Sequence, residues 1–265
     1  MTTSKYARIA ADLRAAIHRE QFGPGDRLPP EQSLREKYRV SLPVVRQALD
    51  LLESEGLVDR LHGRGTFVRT PRQRVRRTPE RYQWEKDRVL LSEAQRRRTG
   101  ATERDTGLSM TDLTFHAEFR TAPADPGLAA VFGVPIGAKL LHRTYTTRSR
   151  REDAPLTLTH SYLIYDVAAE NPALLDASNE PWPGGTQHQL YTIGIELDRI
   201  VDYIAARPPT PDEAEELDLP AGVPIFLLRK VSIDIKDCVV EVSDVVLPAD
   251  RTEFCYTTKL KRWHS

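Results

Sequence analysis

The sequence predicts an α+β protein in two parts, a small N-terminal head and a larger body built on an antiparallel sheet. Three observations predict it. Apolar residues recur at helical spacing in three successive early segments. A run rich in arginine and proline then breaks all periodicity between residues 69 and 81. Beyond it, residues 119–162 and 204–247 match one another at a constant offset of 85. At 265 residues the chain suits two domains, and 29% charged residues with aliphatics throughout fit a globular protein.

In the head, Ser4 caps a first helix with apolar positions Tyr6, Ile9, Leu13 and Ile17, and Gly23-Pro24-Gly25 closes it. Pro29-Pro30 leads into a second helix, Glu31 to Tyr38, which buries Leu34 and Tyr38. Val40 fills the turn and Ser41 caps a third helix, with Val44, Val45, Ala48, Leu49 and Leu52 inward and Gly56 just past its end. Leu57-Val58 and Thr66-Phe67-Val68 read as a hairpin with His62-Gly63-Arg64-Gly65 at its tip. Two short helices, a tight turn and a basic hairpin form a winged helix-turn-helix, an arrangement that enters DNA. The third helix would lie in the major groove with residues 41–47 nearest the base edges. Arg46 has the fork for guanine, and Gln47 suits adenine or phosphate. Candidate DNA contacts are Gln32, Arg35, Ser41, Leu42, Pro43, Val44, Arg46 and Gln47, with His62, Gly63 and Arg64 on the wing. The alternative for Arg46, less favoured, is a solvated surface arginine.

Charge supports this polarity. The formal net charge is zero, yet residues 1–78 hold 16 basic and 9 acidic groups, leaving 22 and 29 for the remainder. A head at +7 on a body at −7 suits a polyanion at one end.

The stretches Pro24-Gly25-x-x-Leu28-Pro29-x-Glu31, Tyr38-x-Val40-Ser41, Val45-Arg46-x-Ala48-Leu49, Glu55-Gly56-Leu57-Val58 and Gly63-x-Gly65-Thr66-Phe67-Val68 resemble the head of GntR-type regulators across residues 4–69. The resemblance implies repressor-like binding of a short inverted repeat by a homodimer, with Arg46, His62 and Gly63 on family DNA positions. Members of the family often carry Arg or Lys where this chain has Gln32 and Leu42, and a small polar residue where it has Pro43. Leu42 and Pro43 suit thymine methyls, so an operator unlike the commonest family sites is expected.

The expected domain limits are 1–70 for the head, 71–89 for an extended Arg/Pro-rich linker, and 90–265 for the body. The linker is either an added phosphate-binding arm or simply solvated, with Tyr82-Gln83-Trp84 docking it.

In the body, Asp125-Pro126 and Thr210-Pro211 each start a short helix, over 126–132 and 211–217. Pro135-x-Gly137 and Pro220-x-Gly222 end them, and a strand follows each. Hairpins at Glu152-Asp153 and Lys236-Asp237 lead to second strands at 155–163 and 239–247, and 112–120 and 196–205 add two more. This predicts an antiparallel sheet with helices on one side and a ligand cleft between matched halves. Together, Pro135-x-Gly137, Gly184-Gly185-Thr186, Arg207-Pro208-Pro209-Thr210, Leu219-Pro220-x-Gly222 and Glu241-Val242 resemble the UTRA effector-binding domain of the HutC branch, over roughly residues 90–262. That implies a fold similar to chorismate lyase, repurposed for binding a small-molecule effector.

The ligand residues that the resemblance carries over are Arg143, Tyr145, Thr147, Gly185, Thr186, Gln187 and Glu241. Where sugar-phosphate binders have an Arg-x-Arg pair, this chain has Tyr145 and Thr147, with Arg143 on the same strand face. Loss of that clamp favours a less charged or aromatic effector, with Glu241 accepting from its hydroxyl or amine groups. Glu241 could equally be a hairpin surface carboxylate, and Tyr145 and Thr147 could serve ordinary strand packing.

An enzyme is the rival class, since Arg143, His160 and Glu241 belong to acid–base residue types. No nucleophile elbow, P-loop or metal-ligand spacing supports it, so no catalytic residue, metal or cofactor is expected. Two further possibilities are a helical metal-binding effector domain and a body that only dimerises. Cys238 and Cys255 are the only cysteines and read as buried free thiols. No run approaches the ~18 apolar residues of a spanning helix, so a soluble cytoplasmic protein is expected.

Overall fold

The structure is a computed structural model, and residues 4–72, 74–152 and 154–263 are described. They fall into two compact units. One runs to residue 73 and takes in Pro208–Pro224, and the other comprises Arg74–Arg207 with residues from Ile225 onward. The stretch 208–224, expected in the body, thus groups with the head.

The first unit opens with α1 (Lys5–His18), α2 (Glu31–Tyr38) and α3 (Leu42–Ser54), followed by the hairpin β1 (Val58–Leu61) and β2 (Gly65–Val68). Ile9 and Leu13 of α1, Leu34 of α2 and Val45, Ala48, Leu49 and Leu52 of α3 form one core with Leu28, Val58 and Val68. The helical spacing in the sequence already selects these side chains. Tyr38 and Val44 are only partly buried at its rim. Arg39 in the left-handed region ends α2, while Gly56 at φ 74° turns the chain out of α3 into β1.

The second unit begins inside the expected linker. β3 (Val75–Arg77) pairs in parallel with β10 (Thr252–Phe254), and α4 (Glu80–Asp87) follows directly. The expected extended connection over 71–89 is corrected here. Val75 donates to Arg251 O and Cys255 donates to Arg77 O, so a partner far along the chain captures the segment. Tyr82 anchors α4 by donating to both Asp202 carboxylate oxygens at 3.0 Å. Two short helices, α5 (Glu93–Arg96) and α6 (Ala101–Thr106), complete this layer.

A six-stranded antiparallel sheet is the body's centre. Its strands are β4 (Leu113–Pro123), β5 (Lys139–Ser149), β6 (Ala154–Ile164), β7 (Leu197–Arg207), β8 (Ile225–Asp234) and β9 (Val239–Pro248), in the order β4-β5-β6-β9-β8-β7. The order is its own mirror image, with the two repeats meeting where β6 pairs with β9. Each repeat carries its capped helix. Asp125 accepts from Leu128 N ahead of α7 (Pro126–Phe132), and Thr210 accepts from Glu213 N ahead of α10 (Pro211–Glu216). Two corrections follow. Helices occupy both sheet faces, because α7 packs with Leu140 and Val242. Ala168 of α8 (Tyr165–Ala168) and Leu190 of α9 (Gly185–Tyr191) pack on the opposite face, with Leu141 and Leu163. Cys238 is exposed in the β8–β9 turn and Cys255 is half-buried, since both fall just outside regular strand pairing. Of the other expected hairpin, Asp153 lies outside the described residues.

On the α7 face, His142 of β5 is buried and stacks on Tyr162 with ring centres 4.5 Å apart. Arg120 Nε donates to His142 Nδ1 at 2.9 Å, so the proton of the neutral ring sits on Nε2, which donates to His160 Nδ1 at 3.2 Å. Burial, then the Arg120 charge, pull its pKa down to about 4. The unfolded chain takes up this proton near pH 6.5 while the folded chain refuses it, so stability falls between pH 6.5 and 4. The loss attributable to His142 is about 3 kcal/mol. All three tryptophans, Trp84, Trp182 and Trp263, lie in this unit, so urea unfolding followed by their fluorescence reads it alone. His142→Gln should remove that loss, and an equal acid loss in variant and parent would contradict it.

Candidate functional site

The head exposes the first turn of α3, the reading edge expected from the sequence. Ser41 has extended backbone and makes no capping bond through its side chain, and no acidic residue occupies the first turn. The helix N-terminus therefore keeps its positive end unneutralised. Ser41, Pro43, Arg46 and Gln47 are exposed, Leu42 is half-buried, and Val44 leans into the core. Gln32 and Arg35 are exposed on α2, and His62, Gly63 and Arg64 are exposed at the hairpin tip. There Gly63 and Gly65 adopt φ 71° and 117°. A side chain at Gly65 would also come within 2.7 Å of Arg27 Nε.

Sequence reasoning missed the partner of Arg46. Glu31, the first residue of α2, accepts from Arg46 Nε at 2.8 Å and from Arg60 at 3.2 Å, while Arg60 also pairs with Asp50. Because Glu31 engages only Nε, the Nη1/Nη2 edge of Arg46 remains as the two-pronged donor that guanine O6 and N7 require. The bond spans two helices, which no residue spacing within one helix reveals.

The second unit holds a cavity of about 840 Å³ over the sheet face that carries Arg143, Tyr145 and Thr147. Its floor comes from β5, β6, β8 and β9, and its walls from α4, the α6 turn, the 177–183 loop and the start of α9. Of the residues carried over by resemblance, Tyr145, Thr147, Gly185, Thr186 and Glu241 line it. Arg143 and Gln187 do not. Gln187 Nε2 donates to Tyr82 O at 2.9 Å and ties α9 to α4. Arg143 is fully buried beneath the floor, donating to Gln189 Oε1 at 2.7 Å, Ser161 Oγ at 2.7 Å and Glu241 Oε1 at 3.2 Å. Tyr145 donates its hydroxyl to Glu180 Oε1 at 3.1 Å, and burial first, with Glu180 beside it, raises its pKa.

Glu241 is not a free acceptor. Its Oε1 accepts from Arg143, Ser161 and Ser243, and its Oε2 accepts from Ser232 and Lys230, all between 2.9 and 3.2 Å. Burial alone would raise its pKa, but Lys230 and then Arg143 outweigh burial and hold it down to about 2. With its lone pairs taken, Glu241 fixes the two cations rather than greeting a ligand hydroxyl. Five partners leave no acceptor capacity for the role expected of it. Lys230, Ser161 and Gln189 were missed because strand parity gives the face of a residue but not its partner.

A family model described as "Bacterial regulatory proteins, gntR family" matches residues 5–68, and one for the UTRA domain matches residues 114–253. The chain is 30% identical over 246 residues to the HTH-type transcriptional repressor PhnF of Mycolicibacterium smegmatis, covering 91% of this chain and 89% of that protein. It is 25% identical over 251 residues to the HTH-type transcriptional repressor NagR of Bacillus subtilis, covering 95% and 93%. A crystal structure of a GntR-family transcriptional regulator superposes with a TM-score of 0.65 at 24% identity over 98% of this chain and 99% of that one, a likeness of fold. Among the described residues, no group of acidic, His or Cys side chains could hold a metal ion, and no helix is long and apolar enough to cross a membrane.

Replacing Glu241 by Gln leaves Lys230 and the buried Arg143 against a neutral group. The variant should lose about 3–5 kcal/mol in tryptophan-monitored urea unfolding at pH 7. The depressed pKa means that the contribution is complete above about pH 4.5 and fades as pH falls toward 2. The gap between parent and variant should therefore narrow in acid, and a gap independent of pH would contradict the charge network.

Proposed function

This chain belongs to the gntR family of bacterial regulatory proteins and carries a UTRA domain, and from that premise we propose that it is an effector-controlled repressor. It is a transcriptional regulator and not an enzyme, as its family and relatives are. In the proposed reading two copies bind the half-sites of a palindromic operator through the exposed first turn of α3. A small molecule in the cavity of the second unit shifts the equilibrium toward a form that binds DNA less well. One observation carries it: a head with an exposed, uncapped reading edge is joined in one chain to a sheet that floors a cavity of about 840 Å³. The names of PhnF and NagR as repressors support the sign of the effect. The switch needs a ligand that prefers the weaker DNA-binding form, with a coupling of ~1–3 kcal/mol.

In vitro selection from random duplexes should return an inverted repeat, bound in fluorescence anisotropy at least about a hundredfold more tightly than random DNA. Selection of a single half-site, or of nothing above background, would overturn the palindrome reading. Arg46→Ala should cost about 1–3 kcal/mol on the selected site and relax one base position. An equal loss on random DNA would reduce Arg46 to a phosphate contact. Glu31→Ala should narrow the discrimination between selected and random DNA in the same assay, because Arg46 loses the acceptor at its Nε while the repulsion toward phosphates is relieved; unchanged discrimination would contradict a positioning role for Glu31.

A further inference from the structure

The cavity wall contains a cation that the protein itself leaves unanswered. Arg77, the last residue of β3, lines the cavity, yet its guanidinium has no hydrogen-bond or ion-pair partner among the described residues. Its Nε is buried and unsatisfied. The nearby carboxylates are committed elsewhere, with Asp105 bonded to Arg81 and Glu85 3.9 Å from Arg81. The hydroxyl of Tyr82 is committed to Asp202. Burial, then the neighbouring charge of Arg81, pull the Arg77 pKa down to about 10, outweighing the opposite pull of Asp105, Tyr82 and Glu85. A buried donor without a partner costs free energy, and native structures seldom leave one unless an ion or ligand answers it. The backbone on both sides is fixed, since β3 is paired with β10 and Arg77 O accepts from Cys255 N at 2.9 Å. The paired strand therefore fixes the Cα of Arg77 at the cavity wall.

We propose that the cavity takes an anionic small molecule, whose carboxylate, phosphate or sulfonate group is received by Arg77. This rests on the reading of the cavity as the effector site. The sheet floor beside it offers Thr147, Thr157 and Thr159, whose hydroxyls suit a polar body on that acid. Glu103 Oε1, also buried on the wall and without a partner, takes an O–H or N–H of the same molecule. The cation has thus moved from strand β5, where Tyr145 and Thr147 stand, to the segment that follows the head in the chain. On this proposal the effector carries a negative charge, where the sequence favoured a less charged one.

The test uses the full chain, with unfolding followed by fluorescence and binding by quenching of Trp84 and Trp182, which line the cavity. Probes are inorganic phosphate, sulfate and acetate, with sodium chloride at matched ionic strength, glycerol and choline as controls. The parent should be stabilised by at least one of the three anions beyond chloride, and not by glycerol or choline. In Arg77→Gln that anion should bind about tenfold more weakly or worse, with Arg77→Lys intermediate. Without ligand, Arg77→Gln should be at least as stable as the parent, since it removes an unanswered charge. No stabilisation by any anion, or equal stabilisation in parent and Arg77→Gln, would overturn the proposal. So would a ligand-free loss of stability in both variants, which would make Arg77 a packing residue. If a neutral or cationic compound releases the operator and protects parent and Arg77→Gln alike, the effector reading stands and the anion site falls. If anions bind through Arg77 but no acid alters operator affinity, the anion site stands and the effector reading falls.

Discussion

The carboxylate of Glu241 is the interaction on which the body's architecture depends. It sits on the seam strand β9, next to the Tyr162–Val242 pair, and gathers donors from four adjacent strands: Arg143 of β5, Ser161 of β6, Ser232 and Lys230 of β8, and Ser243 of its own β9. A buried ion pair of this kind is weak evidence of net stability, because desolvating three charges offsets most of their attraction. The donors to Glu241 come from both repeats, so the network joins the two sides of the seam beneath the cavity.

The duplication supplies the scaffold without repeating the chemistry. At the offset of 85, Arg143, Tyr145 and Thr147 of β5 correspond to Leu228, Lys230 and Ser232 of β8. Each repeat thus contributes one cation, at non-equivalent positions, and the single carboxylate joins both. The symmetric sheet carries an asymmetric floor, which is what a site for an unsymmetrical small molecule requires. Above that floor the wall is drawn from segments outside the repeats, and Arg77 stands there with its charge unanswered.

Much of this was legible in the sequence because the signals were local. Gly56 and the paired Asp125-Pro126 and Thr210-Pro211 mark helix ends by their turn and capping chemistry, whereas Ser41 stands at the start of α3 without a side-chain capping bond. The strands of each repeat follow from alternation and turn residues. Long-range pairing was not legible. Val75–Arg77 carries no strand pattern of its own and becomes a strand only because Thr252–Phe254 returns beside it, so an arginine run read as a linker concealed Arg77. Parity placed Arg143 and Glu241 on one sheet face, but parity is silent on their partnership, which buries Arg143 and occupies the carboxylate of Glu241. The Glu31–Arg46 bond escaped for the same reason, since it joins two helices.

Coupling between cavity and DNA is the central claim, and linkage makes it measurable from the ligand side. An acid that weakens operator binding by some factor must itself bind the operator complex more weakly by that same factor. The decisive measurement is the affinity of the tightest-binding anion, read by tryptophan quenching, for the full chain alone and for the chain saturated with selected operator DNA. The account predicts weaker binding to the complex by about 5–150-fold, matched by the loss of operator affinity measured in anisotropy. Equal affinity in the two states would contradict it, leaving a DNA-binding protein whose cavity does not control its head.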